Sequence, residues 1–195
     1  MNRWEAIELF KDNGAITQGH FRLSSGLHSD TYVQSVRVLQ HPHLGQRLGD
    51  ELAALFPAED IDVVIAPALG GVVIGYLVAM ALKRRMVFAE RREGAFVLRR
   101  GQELGRRERV LLVEDVITTG GSVEEVASLV RAYGAEPVAV GALLERGPSN
   151  VLTIPKKALI ELEIKSWRPE DCPLCKEGIE LASPGSRHLK PDSGA

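Results

Sequence analysis

The sequence predicts an α/β domain built on a mainly parallel sheet flanked by helices. Three observations carry this. Between residues 61 and 144, short apolar runs alternate with stretches of helical periodicity. The runs around 61–66 and 109–113 are apolar at successive positions, as in a strand covered on both faces. The joins between runs hold Gly, Pro, Thr and Ser, the residues of turns and helix starts. Strands that alternate with helices need crossovers, and crossovers make neighbouring strands parallel.

The elements follow in order. MNRWEAIELFKDNGA predicts an amphipathic helix over about 3–13, and ITQGHFRLSSGLHSDTYVQ a β-like segment. A helix over about 43–56 is closed by Phe56-Pro57. Then come strand 61–66, turn 67–71, helix 72–83, strand 86–90, strand 109–114, helix 120–133 ended by Gly134, and strand 137–144. Residues 63–82 hold no charge and are long enough to span a bilayer, but Pro67, Gly70 and Gly71 divide them into strand, turn and core helix. No secretory or transit segment is visible, so a cytoplasmic protein is expected. At 195 residues the chain suits one domain, with the Ser-, Pro- and Gly-rich 183–195 as a loose tail. A net charge of −2 gives no general basis for nucleic-acid binding.

Basicity is instead local. Nine arginines lie from Arg84 to Arg109, in a segment broken by Gly94, Gly101 and Gly105. One reading is a mobile loop that closes over a pyrophosphate with Arg91, Arg92, Arg99 and Arg100. The other is a solvated hairpin whose arginines pair with Glu90, Glu93, Glu103 and Glu108.

The richest run is RVLLVEDVITTGGSVEE, from Arg109 to Glu125. A buried strand leads into Glu114 and Asp115, then a turn, then a helix. The amides of Thr118, Thr119, Gly120, Gly121 and Ser122 at the helix start favour an anion, and the glycines let a phosphate approach the backbone. Two carboxylates beside a phosphate suit sugar hydroxyls, so a sugar phosphate is implied. No Lys follows the glycines as a Walker A loop requires, and no GxGxxG occurs. The turn PALGG, with Leu69, Gly70 and Gly71, opens a helix and offers a second anion site, or else a tight packing turn. Arg146 ends a strand before Gly147-Pro148, as a fixed cation at the sheet edge or a surface partner of Glu145.

VLLVEDVITTGGS resembles the phosphoribosyl pyrophosphate (PRPP) motif of type I phosphoribosyltransferases. GHFRLSSGLHSDTYVQ resembles the opening motif of the orotate-specific members, and FAERREG and LLERG extend the likeness over roughly 14–150. The resemblance implies transfer of phosphoribose from PRPP to orotate in pyrimidine synthesis. It implies residues 1–40 and about 150–182 as hood or cap elements, and a homodimer whose basic loop is shared. It implies Glu114 and Asp115 on the ribose hydroxyls, Thr118 to Ser122 on the 5′-phosphate, and Val116 and Ile117 among the residues that bind PRPP. It implies Arg91, Arg92, Leu69, Gly70 and Gly71 on the rest of PRPP, and Thr118, Arg146, Ser25 and Gly26 on orotate. Asp115, Glu114, Arg92 and Arg99 are then the candidate catalytic groups, and Mg²⁺ is expected on the substrate's oxygens, not on side chains. This chain departs from the family's Lys-x-His loop, having neither residue between Arg84 and Arg109, and has Ser24 and Gly70 where lysines are often found. A purine-specific transferase and a non-catalytic PRPP-sensing regulator are the competing readings.

Cys172 and Cys175, in CPLC, form half of a zinc site. A tetrahedral site would take His188 plus another ligand or a second subunit; otherwise the pair are free thiols or a redox pair. His20 and His28, far from any cysteine in sequence, are read as structural or substrate-lip residues with no metal role.

Overall fold

A computed structural model describes residues 1–23, 25–147 and 151–184. Helix α1 (Arg3–Asp12) starts at a capping box: Asn2 Oδ1 accepts from the Glu5 amide at 3.0 Å, and the Asn2 amide donates to Glu5 Oε2 at 3.1 Å. Strands β1 (Ile16–Arg22) and β2 (His28–Val33) form an antiparallel hairpin. A short helix, α2 (Val36–Leu39), follows and then α3 (Pro42–Ala53), whose proline stands in its first turn.

The central sheet begins at β3 (Val63–Pro67) and alternates through α4 (Gly70–Leu82), β4 (Arg85–Arg92), β5 (Ala95–Val97), β6 (Arg109–Ile117), α5 (Gly121–Ala132), β7 (Glu136–Arg146) and β8 (Lys156–Leu162). Its strand order is β5-β4-β3-β6-β7-β8, all neighbours parallel except the β4–β5 pair. The period-two geometry of strands sorts the core into two layers. Val64, Leu111 and Val113 face α1, α3 and α4, whereas Val63, Ile65, Val110 and Leu112 face α5. Both faces of β3 and β6 are thus covered, which is why they read as unbroken apolar runs.

Strand β9 (Ser166–Trp167) adds to β2, making a three-stranded hood sheet, and α6 (Pro173–Lys176) follows it. The expected division needs correcting: β8 lies within the segment assigned to the cap but is the outer strand of the central sheet, held by the ladder to β7. The basic segment also differs from the mobile loop expected. Residues 95–97 pair with β4, and residues 98–108 are pinned along its free edge. Gln102 Oε1 accepts from the Phe88 amide at 2.7 Å, Arg85 Nη1 donates to the Glu103 carbonyl at 3.0 Å, and Leu104 is buried. Covering an edge strand in this way protects its unpaired amides.

Candidate functional site

The site grows from the carboxyl end of β6. Glu114, Asp115, Val116 and Ile117, expected at or past the strand's end, lie inside it; Val116 and Ile117 pair with Leu144 and Glu145 of β7. Ile117 is buried against α5 and Val116 packs on the opposite core, so the side chains of both serve packing. The turn proper is Thr118–Gly120. Thr118 and Thr119 are exposed, Gly120 takes φ 85°, and Gly121 opens α5 with its amide 3.4 Å from Thr119 Oγ1. A Cβ on Gly120 would meet Leu152 Cγ at 2.7 Å, so neither the backbone angle nor the space admits a side chain. The amides of the first turn of a helix lack partners within it, and those of α5 start at this turn.

Beside β6, β3 ends at Pro67 and the 68–71 turn crosses over the acid pair; its Ala68–Leu69 peptide is cis. A Cβ on Gly70 would lie 2.7 Å from Asp115 Oδ1, and one on Gly71 would lie 2.9 Å from the Val113 carbonyl and 3.1 Å from Glu114 Oε1. Glycine at both positions lets the turn lie directly against the carboxylates. PALGG therefore packs closely on the acids, as the tight-turn reading of it had it.

The acids are not equivalent. Asp115 Oδ2 accepts from the hydroxyl of Ser35, a buried residue at the start of α2. Burial, then the charge of Asp115, push the Glu114 carboxyl well above the ordinary glutamate range, although the Asp115 amide donates to its Oε1 at 3.1 Å. Tyr32 of β2 is pushed up by burial and by Asp115. Ser35 and Tyr32 are the residues sequence reasoning passed over; the signal was their place just downstream of the SSG segment, in TYVQS.

Arg146 is the last residue of β7, one step beyond the Ile117–Glu145 pair, so it emerges at the same edge as Thr118. It is half-buried; burial lowers its pKa and Asp30 of β2 opposes that fall. Glu145, one residue before it, forms an ion pair with Lys156 of β8. Ser25 and Gly26 sit in the turn joining β1 to β2: the Gly26 amide donates to the Leu23 carbonyl at 2.9 Å, and Gly26 takes φ 85° with open space around it. Ser24 lies outside the described residues.

The loop arginines divide. Arg91 stacks 4.2 Å over Phe96 and pairs with Glu125 of α5 at 2.9 Å. Arg92 pairs with Glu93, and Arg99 and Arg100 with Glu90, at 3.5, 3.7 and 2.9 Å. Within one chain, then, Arg92 and Arg99 are engaged in the hairpin, not at Asp115, as the second reading of this segment had it.

The sharpest departure lies in the hood. His20 of β1 and His28 of β2, expected to have no metal role for want of a nearby cysteine, stand with Cys172 and Cys175, their four donor atoms all within 4.8 Å of one another. Folding brings together residues 152 positions apart. His188, the ligand expected from sequence, lies outside the described residues.

A family model described as the phosphoribosyl transferase domain matches residues 36–174. An orotate phosphoribosyltransferase of Caldanaerobacter subterraneus is 46% identical over 97% of this chain and 100% of its own, and one of Thermotoga maritima 47% over 94% and 98%. Among solved structures, orotate phosphoribosyltransferase from Mycobacterium tuberculosis in complex with inorganic phosphate is 27% identical, with a TM-score of 0.61 over 82% of this chain and 95% of that one. Adenine phosphoribosyltransferase from Rhodothermus marinus shares the fold, with a TM-score of 0.66 at 22% identity over 82% of this chain and 99% of that one. The fold thus leaves the acceptor base open, and the close relatives narrow it.

Proposed function

The chain belongs to the phosphoribosyltransferase family, among the orotate phosphoribosyltransferases, and from that membership we infer how its site works. It transfers the 5-phosphoribosyl group of PRPP to orotate, giving orotidine 5′-monophosphate and pyrophosphate in pyrimidine biosynthesis. The observation that carries the site assignment is the acid pair Glu114–Asp115 lying between the glycine turn at 70–71 and the hollow at 118–122.

In this reading the amides and hydroxyls of Thr118 to Ser122 bind the 5′-phosphate, and the two acids accept hydrogen bonds from the ribose hydroxyls. The pyrophosphate lies over Gly70 and Gly71. Orotate sits between the Ser25–Gly26 turn and Thr118, its carboxylate on Arg146. As the glycosidic bond breaks, positive charge gathers on the ribose, where Asp115 stabilises it. Ser35 holds Asp115 in place by occupying one of its oxygens. Arg91, and Arg92 and Arg99 contributed by a neighbouring copy, balance the charge of the departing pyrophosphate. They supply charge and not a proton, because arginine stays protonated. Mg²⁺ fits the all-oxygen donors here and, carried on PRPP, supplies further neutralisation of the pyrophosphate.

An exposed apolar stripe supports a homodimer: Leu69, Val73, Tyr76 and Met80 are 86%, 46%, 62% and 48% exposed and lie along one side of α4. No helix among the described residues is long and apolar enough to cross a membrane, and the substrates are those of cytoplasmic nucleotide synthesis.

The test is direct. Purified protein with PRPP and Mg²⁺ is expected to consume orotate, followed by its ultraviolet absorbance, and to form orotidine 5′-monophosphate. Consumption of adenine or hypoxanthine in place of orotate overturns the acceptor assignment. Binding of PRPP with no base consumed would favour a regulator.

A further inference from the structure

Among the described residues, the transfer reaction leaves one cluster of potential metal ligands unused. His20 Nε2 and His28 Nδ1 are 3.0 Å apart; Cys172 Sγ is 3.5 Å from His20 Nε2, and Cys175 Sγ is 3.7 Å from His20 Nε2 and 3.3 Å from His28 Nδ1. A tetrahedral zinc with Zn–N of about 2.0–2.1 Å and Zn–S of about 2.3 Å sets N···N edges near 3.3 Å and N···S edges near 3.6 Å. The three N···S spacings fall on both sides of their edge, and the N···N spacing is slightly shorter than its own. Three of the donors are buried and Cys175 stands at the surface, the arrangement of a closed site with a route for metal entry.

The surroundings agree with the donors. His20 Nδ1 lies 2.8 Å from the Ile179 carbonyl, so it carries the proton and leaves the Nε2 lone pair facing the cluster. Such a carbonyl partner is the usual way a ligating imidazole is oriented. The two cysteines flank a single turn, with Cys172 capping α6 and Cys175 within it, which sets both sulfurs on one side.

We propose that His20, His28, Cys172 and Cys175 hold a structural Zn²⁺ that staples the C-terminal segment to the β1–β2 hairpin. The hood has need of a staple. Besides the hairpin its sheet contains the two-residue β9, and the chain beyond α6 rejoins it at the Phe21–Ala182 bridge. Sheets this small bury too little to be stable alone. Four protein donors leave no open coordination position, so the ion stabilises and does no chemistry. Its ligands on β1 and β2 also bracket the turn that carries Ser25 and Gly26. Fixing both ends of that turn would hold it ready for orotate; this consequence, unlike the metal site itself, rests on the acceptor assignment made above.

The experiment uses the full chain, expressed without a histidine tag and purified without chelator under reducing conditions. Elemental analysis is expected to find about one zinc per chain, and Co²⁺ exchanged into the site to give intense tetrahedral d–d bands with a thiolate charge-transfer band. Cys172→Ser and His28→Gln should each lose both bands and most of the zinc. Removing zinc from the parent is expected to lower its melting temperature, reversibly on adding Zn²⁺, and to raise KM for orotate at least about threefold with little change in kcat. A parent protein that takes up no zinc and gives no tetrahedral cobalt spectrum overturns the proposal, as does a Cys172–Cys175 disulfide in place of metal. These readings are made on the parent, so a variant that fails to fold does not shield the idea. They also stand apart from the acceptor test: zinc bound by a protein that ignores orotate upholds the staple while sinking the base assignment.

Discussion

Asp115 and Glu114 are adjacent carboxylates with different environments, and that difference decides what each substitution does. Asp115 is hydrogen-bonded by Ser35 and faces the glycine turn, and its proposed role is to meet developing positive charge. Asp115→Asn should lower kcat/KM at least about tenfold, roughly 1.4 kcal/mol of transition-state stabilisation; an unchanged value removes Asp115 from the mechanism. Glu114 instead resists ionisation in the free protein, because burial and Asp115 both oppose its charge. A carboxyl whose pKa is raised by folding binds protons more readily in the native state, so stability falls as pH rises from the ordinary glutamate value, about 4.3, to the raised one. Glu114→Gln removes that loss. The variant should melt higher than the parent at neutral pH, converge with it below about pH 4, and be a poorer enzyme. A neutral-pH melting temperature below the parent's would show that Glu114 is held by favourable contacts. At the same edge, Arg146→Ala should raise KM for orotate by more than it raises KM for PRPP, in a two-substrate kinetic analysis, as the proposed partner of the base's carboxylate.

At the scale of elements, the hollow depends on a strand that stops and a helix that starts within four residues. Gly120 makes that switch, with a left-handed backbone and Leu152 beneath it. Gly120→Ala should cost about 1–2 kcal/mol for the backbone angle alone, and more as Leu152 is displaced, with a fall in melting temperature of several degrees and a raised KM for PRPP. A variant unchanged in both would mean that the turn tolerates a side chain by rearranging. Much of this architecture was legible in the chain because the signals were local. Apolar runs without polar relief gave β3 and β6, and helical spacing of Val123, Val126, Ala127 and Val130 gave α5. The limits were local too: Glu114 and Asp115 read as a strand's end because they are charged, yet the β7 ladder carries the strand on to Ile117. The arginine-rich stretch read as a free loop because its glycines break periodicity, but anchoring through Gln102 and Leu104 depends on the outer side of β4 being left open before the short β5, which only the strand pairing reveals. The histidines of the hood were illegible for a plainer reason. Their cysteine neighbours lie 152 and 147 residues away, and no spacing rule spans such a distance.

For the whole molecule, the arginines and the exposed side of α4 pose one question together. Arg99 and Arg100 hold Glu90 within their own chain, while Leu69, Val73, Tyr76 and Met80 present apolar surface close to the glycine turn of the site. A two-fold dimer through α4 would cover the stripe and bring each copy's basic hairpin toward its partner's pyrophosphate. Tyr76→Asp puts a charge into that contact and should shift the mass measured by light scattering from dimer to monomer; an identical mass for parent and variant would discard this interface. Sharing of the loop is tested by mixing. Asp115→Asn spoils a copy's own acid, and Arg99→Ala with Arg100→Ala spoils what it lends, so each preparation alone should be impaired. After co-refolding in equal amounts, half the dimers are mixed, and in each of those one site combines an intact Asp115 with an intact lent loop. Activity should then recover to about a quarter of the parent's, since half the dimers carry one good site of two. If the arginines act within their own chain, the mixed dimers contain no complete site and the mixture stays no more active than its parts.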